Sequence, residues 1–156
     1  MADQRNQADD PDAWIPDDEW ETIVANVPLV SVDLVIRHEG GVVLGLREND
    51  PARGEWFVPG GTVFKNETLT DAVHRVADKE LGVDVTIQSR LGTFEHFYDT
   101  SEVDGVDSKH YLATVFEVTL DDDNLEMDAQ HSKLEVFEPP YGNLHPYVER
   151  YLLALE

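Results

Sequence analysis

The chain has 156 residues, with 33 Asp and Glu against 11 Lys and Arg, for a formal charge of −22. That length suits one domain with a buried core, and the acidic excess argues against nucleic acid or an anionic membrane as partner, since either needs a basic patch. No apolar run approaches the roughly 18 residues that span a bilayer, and the absence of cysteine excludes disulfides and thiolate sites. The acids are scattered among apolar periodicities, so a uniformly acidic folded surface is expected, adapted to a salt-rich (halophilic) cytoplasm that screens its self-repulsion. Met1 to Pro16 reads as a loose acidic tail, with Asp9, Asp10 and Asp12 where a secretory leader would need a basic start. A cytoplasmic protein is the simplest expectation, with one domain over residues 17–156.

Asp17 is the expected N-cap of a short amphipathic helix through Trp20, Ile23 and Val24. Val30 to Arg37 reads as a strand, and Glu39-Gly40-Gly41 as a turn into a second strand, Val42 to Arg47. A loop with Pro51 and Gly54 leads to Trp56 to Val58 and then a Pro59-Gly60-Gly61 break. Leu69, Ala72, Val73, Val76, Ala77 and Leu81 recur at helical spacing, with Gly82 as the C-terminal stop. Val83 to Ile87, Leu91 to Tyr98 and His110 to Leu120 read as strands, the last preceded by an acidic loop, Asp99 to Ser108. A loop from Gln130 enters a short strand ending at Phe137, and Pro146 opens a final helix ending near Leu155. The order predicts an α+β fold, an α/β/α sandwich with a mixed sheet between helical layers.

Gly60 to Val83 carries the chemistry. Two glycines let backbone approach a ligand closely, and the helix behind them presents Arg75 and Glu80, with Glu67 before its first turn. A backbone carbonyl with a carboxylate suits a hard cation such as Mg²⁺; the plainer reading is a charged surface helix with a glycine cap. The spacing of Gly61, Glu67, Arg75 and Glu80-Leu81-Gly82-Val83 closely resembles the Nudix box, with Val76 and Lys79 where the usual box has two further glutamates. That departure is shared with the GDP-mannose mannosyl hydrolase branch of the Nudix family. Pro28 to Asp33, Gly54 to Gly61, Lys65 to Leu69, His96 to Asp99, His110-Tyr111 and Gln130-His131 resemble the same branch.

The resemblance implies a single Mg²⁺, with Mn²⁺ as an alternative, held by the Gly61 carbonyl, Glu80 and Gln130. It implies His131 as general base, with Asp33, Arg47, His96 and Tyr111 around the diphosphate and sugar. It also implies a homodimer. The branch's arginine after the double glycine is Thr62 here, and Lys65 or Arg53 are the candidate substitutes in substrate binding. The expected reaction is hydrolysis of a nucleoside diphosphate sugar, GDP-mannose first, by water attack at the anomeric carbon. A diphosphate is already a good leaving group, so a cation and Arg47 could stabilise its charge without a protonating acid. Two alternatives remain: a Nudix pyrophosphohydrolase cutting between phosphates, and a non-catalytic nucleotide-sugar binding module.

Overall fold

The strand Leu29–His38 (β1) is the centre of the fold, and it is buried on both faces. In the computed structural model, which describes residues 15–122 and 133–155, β1 has a helical layer on each side. Val32, Leu34 and Ile36 pack against Ala72, Val73, Val76, Ala77 and Leu81 of the helix Leu69–Leu81, called α2. Val35, pointing the other way, packs with Val148, Tyr151 and Leu152 of the helix Pro146–Ala154, called α3. A strand covered on both faces reads as a near-continuous apolar run. Ser31 and Asp33 are the exceptions, and both face the α3 side.

Around β1 the remaining strands form one mixed sheet. Gly41–Leu46 (β2) pairs antiparallel with the end of β1 across a turn in which Glu39 and Gly40 both have positive φ, 50° and 82°. Two consecutive positive φ values match the twist that a tight hairpin requires. Trp56–Phe57 (β3) and, later in the chain, Leu134–Phe137 (β7) pair antiparallel with β2. Gly60–Thr62 (β4) pairs antiparallel with the first half of β1, and Lys109–Leu120 (β6) lies parallel to β1 on the other edge. Val85–Tyr98 (β5) completes the sheet, antiparallel to β6. The first helix, Asp17–Asn26 (α1), buries Trp20 and Val24 against Leu29 and Tyr111. This is the expected α+β sandwich.

Three local readings need correction. Pro16, not Asp17, occupies the cap position of α1, and no side chain caps it; Asp17 lies in the first turn, where its charge complements the helix dipole. The Gly60-Gly61 segment is not a break but the short strand β4. The two strands expected across residues 83–98 are one, with register shifts between Ile87 and Ser89 and between Arg90 and Gly92. Such bulges bend a strand without ending it, and they fall where polar residues interrupt the apolar pattern.

Candidate active site

Register places four polar side chains on the α3 side of the sheet. Leu29 pairs with Tyr111, and Tyr111 with His96; Ser31 and Asp33 follow Leu29 at intervals of two along β1. Paired residues share a face and alternate residues keep it, so Ser31, Asp33, Tyr111 and His96 lie together. All four are buried. Ser31 Oγ, Asp33 Oδ1, His96 Nδ1 and Tyr111 Oη have no hydrogen-bond partner among the described residues. A buried unsatisfied polar atom costs about 1–3 kcal/mol, so native cores carry few. Four such atoms on one sheet face make it a candidate surface for receiving the polar groups of a ligand. The fifth, His110 Nε2, lies on the opposite face, where its ring stacks on Phe97 at 4.4 Å.

The other halves of these groups are tied down. Tyr151 of α3 donates its hydroxyl to Asp33 Oδ2 at 2.6 Å and also meets His96 Nε2. Burial pushes the Asp33 carboxyl up to about 6, against the lowering influence of the Tyr151 hydrogen bond and Arg47. Burial likewise pushes His96 down to about 4. The same effect acts with opposite sign because it disfavours whichever form is charged. Tyr111 is raised well above its ordinary value, again by burial.

Arg47 brings positive charge to this cluster. It follows β2 and is 6% exposed, with Nε donating to Pro51 O at 2.6 Å and a terminal nitrogen donating to Asn49 O at 3.2 Å. The loop after β2 therefore wraps the guanidinium and fixes its plane. Burial lowers the Arg47 pKa, opposed by the fields of Tyr111, Tyr98, Asp33 and Glu102. Beyond Tyr111 lies a buried ion pair that sequence reasoning missed. Lys109 Nζ donates to Glu102 Oε1 and Oε2 at 2.8 and 3.0 Å, and Trp20 Nε1 donates to the same carboxylate at 3.3 Å. This pins the loop 99–108 against α1 at the margin of the cluster. Ser31 and Tyr151 were missed too: a serine in a strand and a tyrosine in an apolar helix read as ordinary core.

The candidate metal ligands lie across β4 from this cluster. A Cβ on Gly60 would overlap Asp33 Oδ1 and come within 2.7 Å of Val32 O, while one on Gly61 would reach 2.8 Å from Val76 Cγ2. Gly60 thus abuts the polar cluster and Gly61 abuts α2. Val63 N donates to Val30 O and Leu34 N to Pro59 O, one on each side of the Val32–Gly61 pairing. The antiparallel alternation then makes Val32 and Gly61 a hydrogen-bonded pair, leaving the Gly61 carbonyl one lone pair to spare. Glu80 lies one helical turn beyond Val76 on the same buried stripe and is 7% exposed.

Arg75 organises this corner. It donates to both Glu67 oxygens, from Nε at 2.7 Å and from a terminal nitrogen at 3.0 Å, and to Thr62 O at 2.8 Å. Its guanidinium also lies over the Phe64 ring, 3.6 Å from the centroid. Glu67 accepts from Phe64 N as well; burial would raise its pKa, but these bonds hold it below the ordinary carboxylate value. Both residues shape the loop between β4 and α2. The donor set here, a spare carbonyl lone pair and one carboxylate, fits a hard divalent cation. Val76, 2% exposed, belongs to the core against Gly61, so position 76 supplies no ligand. Among the described residues no group of three His, Cys, Asp or Glu side chains could hold a metal.

Of the remaining sequence candidates, Gln130 and His131 lie outside the described residues. Lys65 and Arg53 are exposed, on the β4–α2 loop and the β2–β3 loop respectively, and neither enters the buried cluster.

The NUDIX domain model matches residues 27–148. A protein of Haloferax volcanii named low-salt glycan biosynthesis protein Agl8 is 85% identical over 156 residues, covering all of both chains. An ADP-ribose pyrophosphatase of Methanocaldococcus jannaschii is 36% identical over 67 residues, 43% of this chain and 40% of that protein. Among solved structures, a MutT NUDIX hydrolase from Burkholderia pseudomallei superposes with a TM-score of 0.69 at 22% identity, over 84% of this chain and 100% of that one. A UDP-X diphosphatase gives 0.63 at 18% identity, over 90% and 70%. With the box residues at the β4–α2 corner and the domain match spanning most of its length, this chain belongs to the NUDIX hydrolase family.

Proposed function

We propose that the protein hydrolyses a nucleoside diphosphate sugar, GDP-mannose being the first candidate, by water attack at the anomeric carbon with release of the nucleoside diphosphate. The observation that carries this reading is the pairing of a reduced metal corner with a buried polar cluster on the other side of β4. Only one carboxylate, Glu80, remains on the buried stripe of α2, while Asp33, His96, Ser31 and Tyr111 leave four polar atoms bare beside Arg47. Such a cluster suits an enzyme that grips a polyhydroxylic group and orients its reacting carbon.

In this reading Gly61, Glu80 and, by resemblance, Gln130 would hold a divalent cation, which when bound neutralises charge on the diphosphate. Arg47, clamped by the Pro51 and Asn49 carbonyls, adds a fixed positive charge where the leaving group develops its negative charge. His131 is assigned by resemblance as the base that takes a proton from the attacking water. An imidazole with an ordinary pKa near ~6.5 suits that task at neutral pH. The name of the Haloferax relative, which concerns glycan biosynthesis, is compatible with a sugar nucleotide as substrate.

The second reading, cleavage between the phosphates, draws on the partial match to an ADP-ribose pyrophosphatase. A panel of nucleotide sugars in ¹⁸O-labelled water, with Mg²⁺ and molar KCl, separates the two. Label on the free sugar is the expected result. Label on a phosphate assigns the second reading, and no turnover of any nucleotide sugar leaves a binding module.

A further inference from the structure

Tyr151 belongs to none of the motifs that drew attention to the site, yet it touches two of its members. It lies on α3, far along the chain from both: 118 positions from Asp33 and 55 from His96. Its ring is fully buried and packs edge-on to Phe94 at 5.0 Å. A buried tyrosine needs one partner for its hydroxyl; this one has two, and each partner keeps its second polar atom bare.

The proton count decides the direction of the bonds. A tyrosine hydroxyl has one hydrogen, and it goes to the Asp33 carboxylate at 2.6 Å. His96 Nε2 must then be the donor to the tyrosine oxygen, so the neutral ring carries its proton on Nε2 and its Nδ1 is a bare acceptor. The ring is further held by Tyr147, whose centroid is 4.1 Å away. We propose that Tyr151 is a positioning residue of the active site: its hydroxyl bridges His96 to Asp33, fixing the imidazole as the Nε2–H tautomer and presenting His96 Nδ1 and Asp33 Oδ1 as two oriented acceptors for hydroxyl groups of the substrate.

The bridge rests on geometry alone, while the hydroxyl-bearing substrate rests on the function proposed above. Two acceptors with no donor of their own select a ligand rich in O–H groups. They disfavour one that presents only oxyanions, such as a phosphate.

The test is ¹⁵N–¹H correlation of the histidine rings in the full chain at pH 7.5 in molar KCl, for the wild type and Tyr151→Phe. The wild type is expected to show His96 protonated on Nε2 only. Loss of the hydroxyl is expected to move those nitrogens toward a mixture of tautomers, while the ring packing of position 151 persists. On any nucleotide sugar the wild type hydrolyses, the variant should lose about tenfold in kcat with little change in KM. Were the wild-type ring protonated on Nδ1, the bridge would be wrong, and that holds even if the variant does not fold. Unchanged nitrogen shifts in a folded variant would also overturn it. If no nucleotide sugar is turned over, the substrate reading fails while the nitrogen shifts still decide the bridge.

Discussion

At the scale of single residues, Asp33 and His96 form an opposed pair. Asp33 is raised to about 6 by burial, so between roughly pH 4 and 6 the folded state binds its proton more tightly than the unfolded one. Falling pH through that window therefore adds stability. His96 is lowered to about 4, so the unfolded chain takes up its proton first, and falling pH from 6.5 removes stability. Each shift corresponds to about 3 kcal/mol at its limit, and the two largely cancel in the wild type. Asp33→Asn removes the first contribution. It should be more stable than the wild type at pH 7.5, and lose about 2–3 kcal/mol relative to it between pH 6.5 and 4; His96→Asn should diverge in the opposite direction. Urea unfolding at fixed KCl measures both, and parallel pH profiles for all three proteins would show that burial does not act on these groups as described. His131→Gln, by contrast, should slow nucleotide-sugar turnover by about 10²-fold or more if it is the base; near-normal initial rates would remove that role. Asp33 was legible in the sequence because a carboxylate inside an apolar strand needs a reason. Ser31 and Tyr151 were not, since their significance arises only from strand register and from a helix more than a hundred residues away.

At the scale of elements, the short strand β4 lies between the polar cluster and the candidate metal ligands. Its two glycines serve different neighbours, Gly60 the carboxylate of Asp33 and Gly61 the side chain of Val76. A methyl on Gly61 would press on Val76 Cγ2 at 2.8 Å, and β4 or α2 must shift to relieve it. Gly61→Ala should therefore cost about 1–3 kcal/mol, the usual cost of overpacking. Val76→Ala alone opens a small cavity and is also destabilising. Together the changes should be less costly than their sum, by about 1 kcal/mol, because each relieves the other. A double-mutant cycle by urea unfolding reads this coupling, and strict additivity would mean that β4 and α2 are not in the described contact. Helix α2 could be read from sequence because its apolar stripe keeps helical spacing for three turns and ends at Gly82, which adopts φ 72°. β4 could not, since three residues of Gly-Gly-Thr carry no strand periodicity and are held by pairing to β1. β5 was read as two pieces for a related reason: its bulges shift which side chains face the core, so alternation breaks while the strand continues.

At the scale of the whole molecule, the charge of −22 is the dominant fact outside the site. Arg47 and Lys109 are buried and tied to carbonyls or to Glu102, so neither offsets the acidic exterior. Among the described residues no helix is long and apolar enough to cross a membrane. Self-repulsion of this kind is felt more in the folded chain, where the charges lie closer, and it weakens as the screening length falls from about 10 Å at 0.1 M salt to about 3 Å at 1 M. The melting temperature should accordingly rise on the order of 10 °C between 0.1 and 2 M KCl, a gain of several kcal/mol for a chain of this size. Salt also acts on apolar burial, so a sucrose series of matched osmolality gives the comparison, because sucrose is excluded from the surface but screens nothing. A second comparison removes charge instead of screening it. Glu95, Asp99, Asp104 and Asp107 are exposed, and replacing them with Gln or Asn should raise the melting temperature at 0.1 M KCl while flattening its dependence on salt. If sucrose stabilises as much as KCl does, and the neutralised variant keeps the wild-type slope, then repulsion is not what salt relieves.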